Sequence, residues 1–327
     1  MMKLFLLQSD EMIEIPTESI TWSGTRYKAA RKIEATIMRK MDYHHKVISI
    51  DEGHTVLFRW KGTELFRGVV FNRSQTKNGL MSIVAYDTLQ YLLLNKDVYI
   101  FKNQRADQIA LRIFKDFEIA YQNISNTGYV IKNLPFTSET MLYDIIMKAL
   151  ISTEKQTKKR FYLRSEKGKI TLQQIASKEA VWALETGVNL LDYSYTTSIE
   201  ETATRVKLVS GEEKKQLTAI VTDEVGKQKY GVLQYFENVS EKLNQAQLTE
   251  RAKQIQAKKK GIKKTLSIEA LGITDLISNN PVKVIEKDLG INQTYFIDSD
   301  THKFKGNSHT MSLNLIEHND LPEGDAA

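Results

Sequence analysis

Imidazole is the commonest metal ligand and the usual general base near neutral pH, so the six histidines come first. His44 and His45 are adjacent, and in a strand they point to opposite faces and do not share a metal. His54 falls in a turn-like stretch. His302, His309 and His318 are spread along the last part of the chain, with no carboxylate at a metal-ligand spacing. The chain has no HExxH, GxSxG, GxGxxG, Walker or EF-hand motif. It has no cysteine, which removes thiol nucleophiles, disulfides and cysteine-held zinc or iron–sulfur sites. No metal and no cofactor is expected. Paired acids are the remaining catalytic option, since glycoside hydrolysis needs two carboxyl groups flanking the scissile bond. Glu200-Glu201 and Glu212-Glu213 read as solvated strand ends or turns. Asp87 stands between the apolar stretches Met81–Tyr86 and Thr88–Leu94, and reads as the cap of a helical turn starting at Thr88.

Charge offers a second kind of chemistry. Between Ser240 and Lys264 there are eight cations, Lys242, Arg251, Lys253, Lys258, Lys259, Lys260, Lys263 and Lys264, against Glu241 and Glu250. That excess equals the whole net charge of +6, so the rest of the chain is neutral. Cations at the end of a helix relieve its dipole, which is the plainest reading of Lys258-Lys259-Lys260. Contact with an acidic partner or a polyanion is the functional one. A smaller excess runs from Thr153 to Lys169, and Glu317–Ala327 carries four acids and no lysine or arginine.

The elements that position these residues follow from periodicity. Up to residue 95 the chain reads as short strands: Lys32–Met38, Val47–Ile50, Thr55–Trp60, Leu65–Phe71 and Leu80–Tyr86. Turn-like connections, including Asn78-Gly79, join them into a barrel or closed antiparallel sheet. Apolar residues at helical spacing then mark Arg105–Phe117, and a second helix starts around Thr137–Glu139 with Met141, Leu142, Ile145, Ile146, Ala149 and Leu150 on one face. A hairpin follows, Arg160–Arg164 and Lys169–Gln173, turning through Ser165–Gly168. Strands resume at Thr204–Val209, Gln216–Asp223 and Gly231–Asn238. The helix Leu248–Lys260 ends at Gly261; its narrow line of Leu248, Ala252 and Ile255 suits a position outside a barrel or against a neighbouring subunit. The last strands are Lys264–Glu269, Val282–Glu286, Gln293–Ser299 and His309–Ile316. The fold expected is mixed α+β and mainly β. Two tube-like antiparallel β-barrel domains (1–95 and 193–318) flank a small α/β domain (96–192), and an acidic tail (319–327) follows. Aromatic groups at Phe58/Trp60 and Tyr91/Tyr99/Phe101 read as core. At 327 residues, 41% hydrophobic and 26% charged, the chain has the composition of a folded protein of two or more domains. No signal peptide is expected, and no apolar run is long enough to insert in a membrane as a helix.

Ala85-Tyr86-Asp87-Thr88-Leu89-Gln90-Tyr91-Leu92, then Lys96–Phe101 and the helix around Ile109, resemble the central baseplate hub protein of contractile phage tails, in the form carried by PBSX-like defective prophages of Gram-positive bacteria. Tyr86, Asp87, Leu92, Tyr99 and Phe101 carry this structural motif. Leu134-Pro135-Phe136 with its following helix, Arg160–Gln173, Gly187–Leu208 and Gly290–Ile316 match the same pattern in the same order. The resemblance implies a non-enzymatic homotrimer whose two tube-like β domains per chain make a pseudo-sixfold ring. Such a ring joins a hexameric tail tube to a central spike, with DNA passing through its lumen. It also implies tail tube, spike and other baseplate or tape-measure proteins as partners, and a virion or tail-like particle assembled in the host cytoplasm. Arg251, Lys253, Lys258, Lys259, Lys260, Lys263 and Lys264 are then candidate partner or lumen contacts. Some relatives carry a fused lysozyme or peptidase; up to Ala327 no domain-length segment is left over for one, so any wall-cutting activity is expected from a separate protein. A tail-associated peptidoglycan-degrading enzyme and a nucleic-acid-binding module are the alternatives.

Overall fold

The computed structural model describes residues 1–8, 11–28, 30–38, 49–77, 80–175, 179–211, 216–240 and 243–319. The expectations placed on His44, His45, the start of Val47–Ile50, Asn78-Gly79, Glu212-Glu213, Lys242 and the acidic tail from 320 lie outside these residues. In chain order the first elements are β1 (Met2–Gln8), β2 (Glu11–Ile15), β3 (Thr17–Thr25), β4 (Lys32–Met38), β5 (Thr55–Trp60), β6 (Thr63–Gln75), β7 (Leu80–Tyr86) and α1 (Gln90–Leu94). The middle of the chain forms β8 (Lys96–Arg105), α2 (Ala106–Asp116), β9 (Tyr121–Ile124), β10 (Val130–Met141), α3 (Leu142–Thr157), β11 (Phe161–Glu166) and β12 (Lys169–Gln174). Then come β13 (Ala183–Glu185), β14 (Leu190–Ser198), β15 (Arg205–Ser210), β16 (Leu217–Thr222), α4 (Glu224–Tyr230), β17 (Gln234–Val239) and α5 (Gln245–Lys259). The chain closes with β18 (Lys263–Leu271), β19 (Pro281–Glu286), β20 (Ile291–Lys305) and β21 (Ser308–Ile316).

The protein is mainly β, and most of its strand pairs are antiparallel. One sheet of thirteen strands runs β14-β18-β21-β20-β3-β4-β7-β6-β5-β1-β2, with β19 branching from β20 and β13 from β19. This order is open, and no closed barrel is present among the described residues. The first and last β segments are also not separate sheets. β20 is fifteen residues long, and its second half pairs with β3 on one side, Ser299↔Thr25 through Lys305↔Ser19, and with β21 on the other. Alternation along these strands puts Ile20, Trp22, Ile33, Ala35, Phe58, Trp60, Ile83 and Phe304 into one core cluster, as a half-buried antiparallel sheet requires.

The middle segment builds its own core. Tyr99 and Phe101 of β8 face inward toward Ile109, Ile113 and Phe114 of α2 and Leu142, Ile145, Ile146 and Leu150 of α3. Burying each of these side chains contributes roughly 1.5–3 kcal/mol. The second helix begins at Leu142, not near Thr137–Glu139. β10 holds the intervening residues by pairing with β8, as far as Thr140↔Asp97 and Met141↔Lys96, after an irregularity beyond Phe136. The β11–β12 hairpin turns on two residues, not four: Lys167 and Gly168 have φ of +51° and +77°, the pairing that a two-residue hairpin with the twist of its strands demands.

Contacts divide the chain into two compact units, Met1–Tyr193 with Ser267–Ala327, and Ser194–Leu266. In the second unit β16, β15 and β17 form a three-stranded sheet. Leu248 and Ala252 of α5 pack on Val206, Leu208, Ala219 and Val239, with Ile255 alongside. The helix with the narrow apolar line therefore covers one face of a small sheet in its own unit. Asn244 caps it, accepting from Gln247 N–H at 2.9 Å, while the Gln247 side chain accepts from Asn244 N–H at 3.0 Å.

Candidate functional site

The densest polar constellation in the first unit lies where β3, β20 and β21 meet. Asp300, 1% exposed, accepts from both terminal nitrogens of Arg31, with Nη1 at 2.9 Å, and from Ser278 N–H at 2.7 Å. The Arg31 guanidinium also stacks over Trp22, 4.1 Å from the ring centroid. A buried ion pair is tolerated when such additional bonds satisfy its lone pairs and protons. Two residues along β20, His302 is fully buried, with Nε2 3.1 Å from the Leu276 carbonyl and Nδ1 3.0 Å from His309 Nε2. A carbonyl only accepts, so His302 Nε2 carries the proton, and Nδ1 accepts from His309 Nε2–H. Both imidazoles are held neutral. Burial pulls His302 down to about 4 against the pull of Asp300 upward. Burial, the His302 ring and Lys61 take His309 to about 3. His309 stacks on Phe304, 4.1 Å between centroids, and Gly272 lies so close that a Cβ there would fall 2.0 Å from the imidazole.

The Asp300 carboxylate and both ring nitrogens of His302 are engaged by neighbours, while Arg31 Nε and Trp22 Nε1 are buried without a hydrogen-bond partner among the described residues. The sequence reading kept His302 and His309 apart. The hairpin register, Phe304↔His309 and His302↔Met311, brings them together as diagonal neighbours. Gly306 between the strands is the signal that could have placed the turn. Arg31 and Asp300 are 269 residues apart, and no local pattern pairs them.

Asp87 is 3% exposed. One carboxylate oxygen accepts from Leu89 N–H at 3.0 Å, which closes the turn ahead of α1, and the other accepts from Arg31 N–H at 3.1 Å. Burial pushes its carboxyl up to about 7, against the opposing effect of the two amides. Around it, Tyr86 meets Phe71 edge-on at 5.6 Å, and Leu92 is fully buried. Tyr99 and Phe101 stack at 5.0 Å, and the Tyr99 hydroxyl donates to Asp116 at 2.8 Å. The motif residues are packing and capping groups that fix the passage from the sheet into the middle segment.

The basic cluster belongs to the second unit, where part of its charge is answered within the unit. Arg251 pairs with Glu237 at 2.6 Å, Lys260 with Asp223 at 3.5 Å and Lys263 with Glu201 at 2.5 Å. Lys259 lies over the Tyr235 ring at 4.9 Å. Lys253, Lys258 and Lys264 are exposed, and the last two take part in further interactions. Such surface pairs contribute roughly 0–1 kcal/mol each to stability, and they offset part of the positive field that the sequence count suggests. Among the described residues no group of three or more His, Asp or Glu is placed to hold a metal ion. None of their helices is long and apolar enough to cross a membrane.

Residues 20–316 match the family described as YQBQ-like. The chain belongs to that family. It is 50% identical over 325 residues to the uncharacterized protein YqbQ of Bacillus subtilis strain 168, and 48% identical to the phage-like element PBSX protein XkdQ of the same strain; each alignment covers 99% of both chains. The fold of this YQBQ-like chain is also that of the 43 kDa tail protein of prophage MuSo2 from Shewanella oneidensis. The two superpose with a TM-score of 0.72 at 15% identity, over 96% of this chain and 98% of that one.

Proposed function

We propose that the protein is a structural, non-enzymatic baseplate hub of a contractile phage tail or tailocin. In this reading three copies form a ring that adapts the hexameric tail tube to the central spike. The observation that carries it is the match along nearly the full length of both chains to a PBSX element protein, joined to the same fold in a prophage tail protein. The geometry supports it: the buried acids and histidines serve packing, and among the described residues the long sheet is open at both ends. An open sheet leaves edge groups that must be paired or covered, and closure against neighbouring copies satisfies them. On this account the tube is a property of the assembly, with the β segments 1–95 and 193–318 as its two contributions per chain and the segment 96–192 bracing neighbours. The cations from Arg251 to Lys264 face an acidic partner or the DNA in the lumen, and assembly takes place in the host cytoplasm.

Removal of the chain from an inducible prophage tests this by electron microscopy of the particles. The expected result is tails lacking the tube–spike junction, or no tails, with restoration on re-expression. Normal tails without it would overturn the reading, and so would a peptidoglycan clearing band from the purified chain.

A further inference from the structure

The three-stranded sheet of the second unit has two unlike faces. α5 covers one. On the other, the register places Lys207 of β15 directly between Ile220 of β16 and Phe236 of β17. Arg205 lies two residues away on the same face of β15, and Gln234 and Asn238 flank Phe236 along β17. Ile220 is 56% exposed and Phe236 53%, although they sit mid-strand, where side chains of this size ordinarily gain from burial. Lys207 Nζ lies 5.9 Å from the Phe236 centroid.

Toward the helix and strand ends, Arg251, Lys260, Lys263 and Lys227 each have an acid of the same unit as partner. Arg205 and Lys207 have no ion pair among the described residues, and none of the paired positions of β15, β16 and β17 on their face is an acid. Two apolar groups and two uncompensated cations, rimmed by amides and hydroxyls, make the pattern of an interface core with its polar rim. We propose that this open face docks an acidic segment of a partner protein in the tail particle. Its apolar side chains cover Ile220 and Phe236, and its carboxylates pair with Arg205 and Lys207. A nucleic-acid strand fits less well, because it is held by cations that track successive phosphates and by several stacking rings, and this face has two cations on one strand and a single ring. The inference rests on the hub reading only for the assembly that supplies the partner.

The test is entry of variants into tail particles. Arg205→Glu with Lys207→Glu reverses the charge, while Phe236→Ser and the milder Arg205→Gln with Lys207→Gln guard against misfolding, with the melting midpoint of the purified chain as fold control. The expected result is wild-type melting for at least one variant, with recovery in particles reduced about tenfold, the ratio given by one lost contact of about 1.4 kcal/mol. An acid-to-base change in another tail protein that restores entry of the charge-reversed chain supports the proposal further. Entry of the folded variants at the wild-type level would overturn this inference alone, whereas absence of the wild-type chain from particles overturns the hub reading as well. Tight binding of a single-stranded 20-mer by the isolated wild-type chain, lost in the charge-reversed variant, would assign the face to nucleic acid and refute it too.

Discussion

At the scale of single residues, the titrating groups of the buried seam act on stability in opposite directions. His302 and His309 are neutral in the folded protein, while in the unfolded chain they take up protons below their ordinary value of 6.5. Their contribution is therefore complete above pH 6.5 and is lost as pH falls toward 4; for fully buried His302 it amounts to about 3 kcal/mol. Asp87 is raised from 3.8 to about 7, so its contribution is complete below pH 3.8 and is lost as pH rises to 7. Between pH 6.5 and 4 two imidazoles outweigh one carboxyl, and stability falls on acidification. His309→Gln, which keeps an N–H for His302, makes that loss shallower, and Asp87→Asn makes it steeper. Thermal melts from pH 4.5 to 8 read both slopes; profiles parallel to wild type would contradict this account. None of this was legible beforehand beyond the capping position of Asp87, because two histidines seven residues apart meet only once the hairpin register is known.

The elements were read more reliably where one periodicity held over many residues. The strand at Lys32–Met38 and the apolar stripes of α2 and α3 follow from side-chain spacing alone. Local pattern gives way where tertiary pairing overrides it: β10 keeps Thr137–Met141 extended because β8 is beside it, and α4, at seven residues, is too short to show a stripe in the sequence. α5 starts three residues before the sequence reading places it, at a capping box that Asn244 and Gln247 spell out in the sequence. Asn244→Ala removes the bond to Gln247 N–H and costs about 1 kcal/mol of helix stability. Hydrogen exchange at the first turn of α5 should then quicken about fivefold at that cost, with the first unit unaffected. Unchanged exchange at 245–248 would mean that packing on β15 and β16 alone holds the helix start.

At the scale of the molecule, the class was legible and the connection was not. Mainly β segments around a helical middle follow from the alternation of periods along the chain, whereas the small helix-covered sheet of residues 194–266 does not, since periodicity alone folds it into one barrel with the last strands. That β3 and β20 share one sheet, sealed by Arg31 and Asp300, depends on register between strands some 270 residues apart, for which sequence carries no local signal. The consequence is an open sheet in the single chain, whose closure in this account falls to neighbouring copies. Counting copies of the chain in purified particles by quantitative mass spectrometry, with the tail tube protein as the sixfold reference, addresses that account most directly. Three copies per particle are predicted; absence from the particle, or one or six copies, would contradict it.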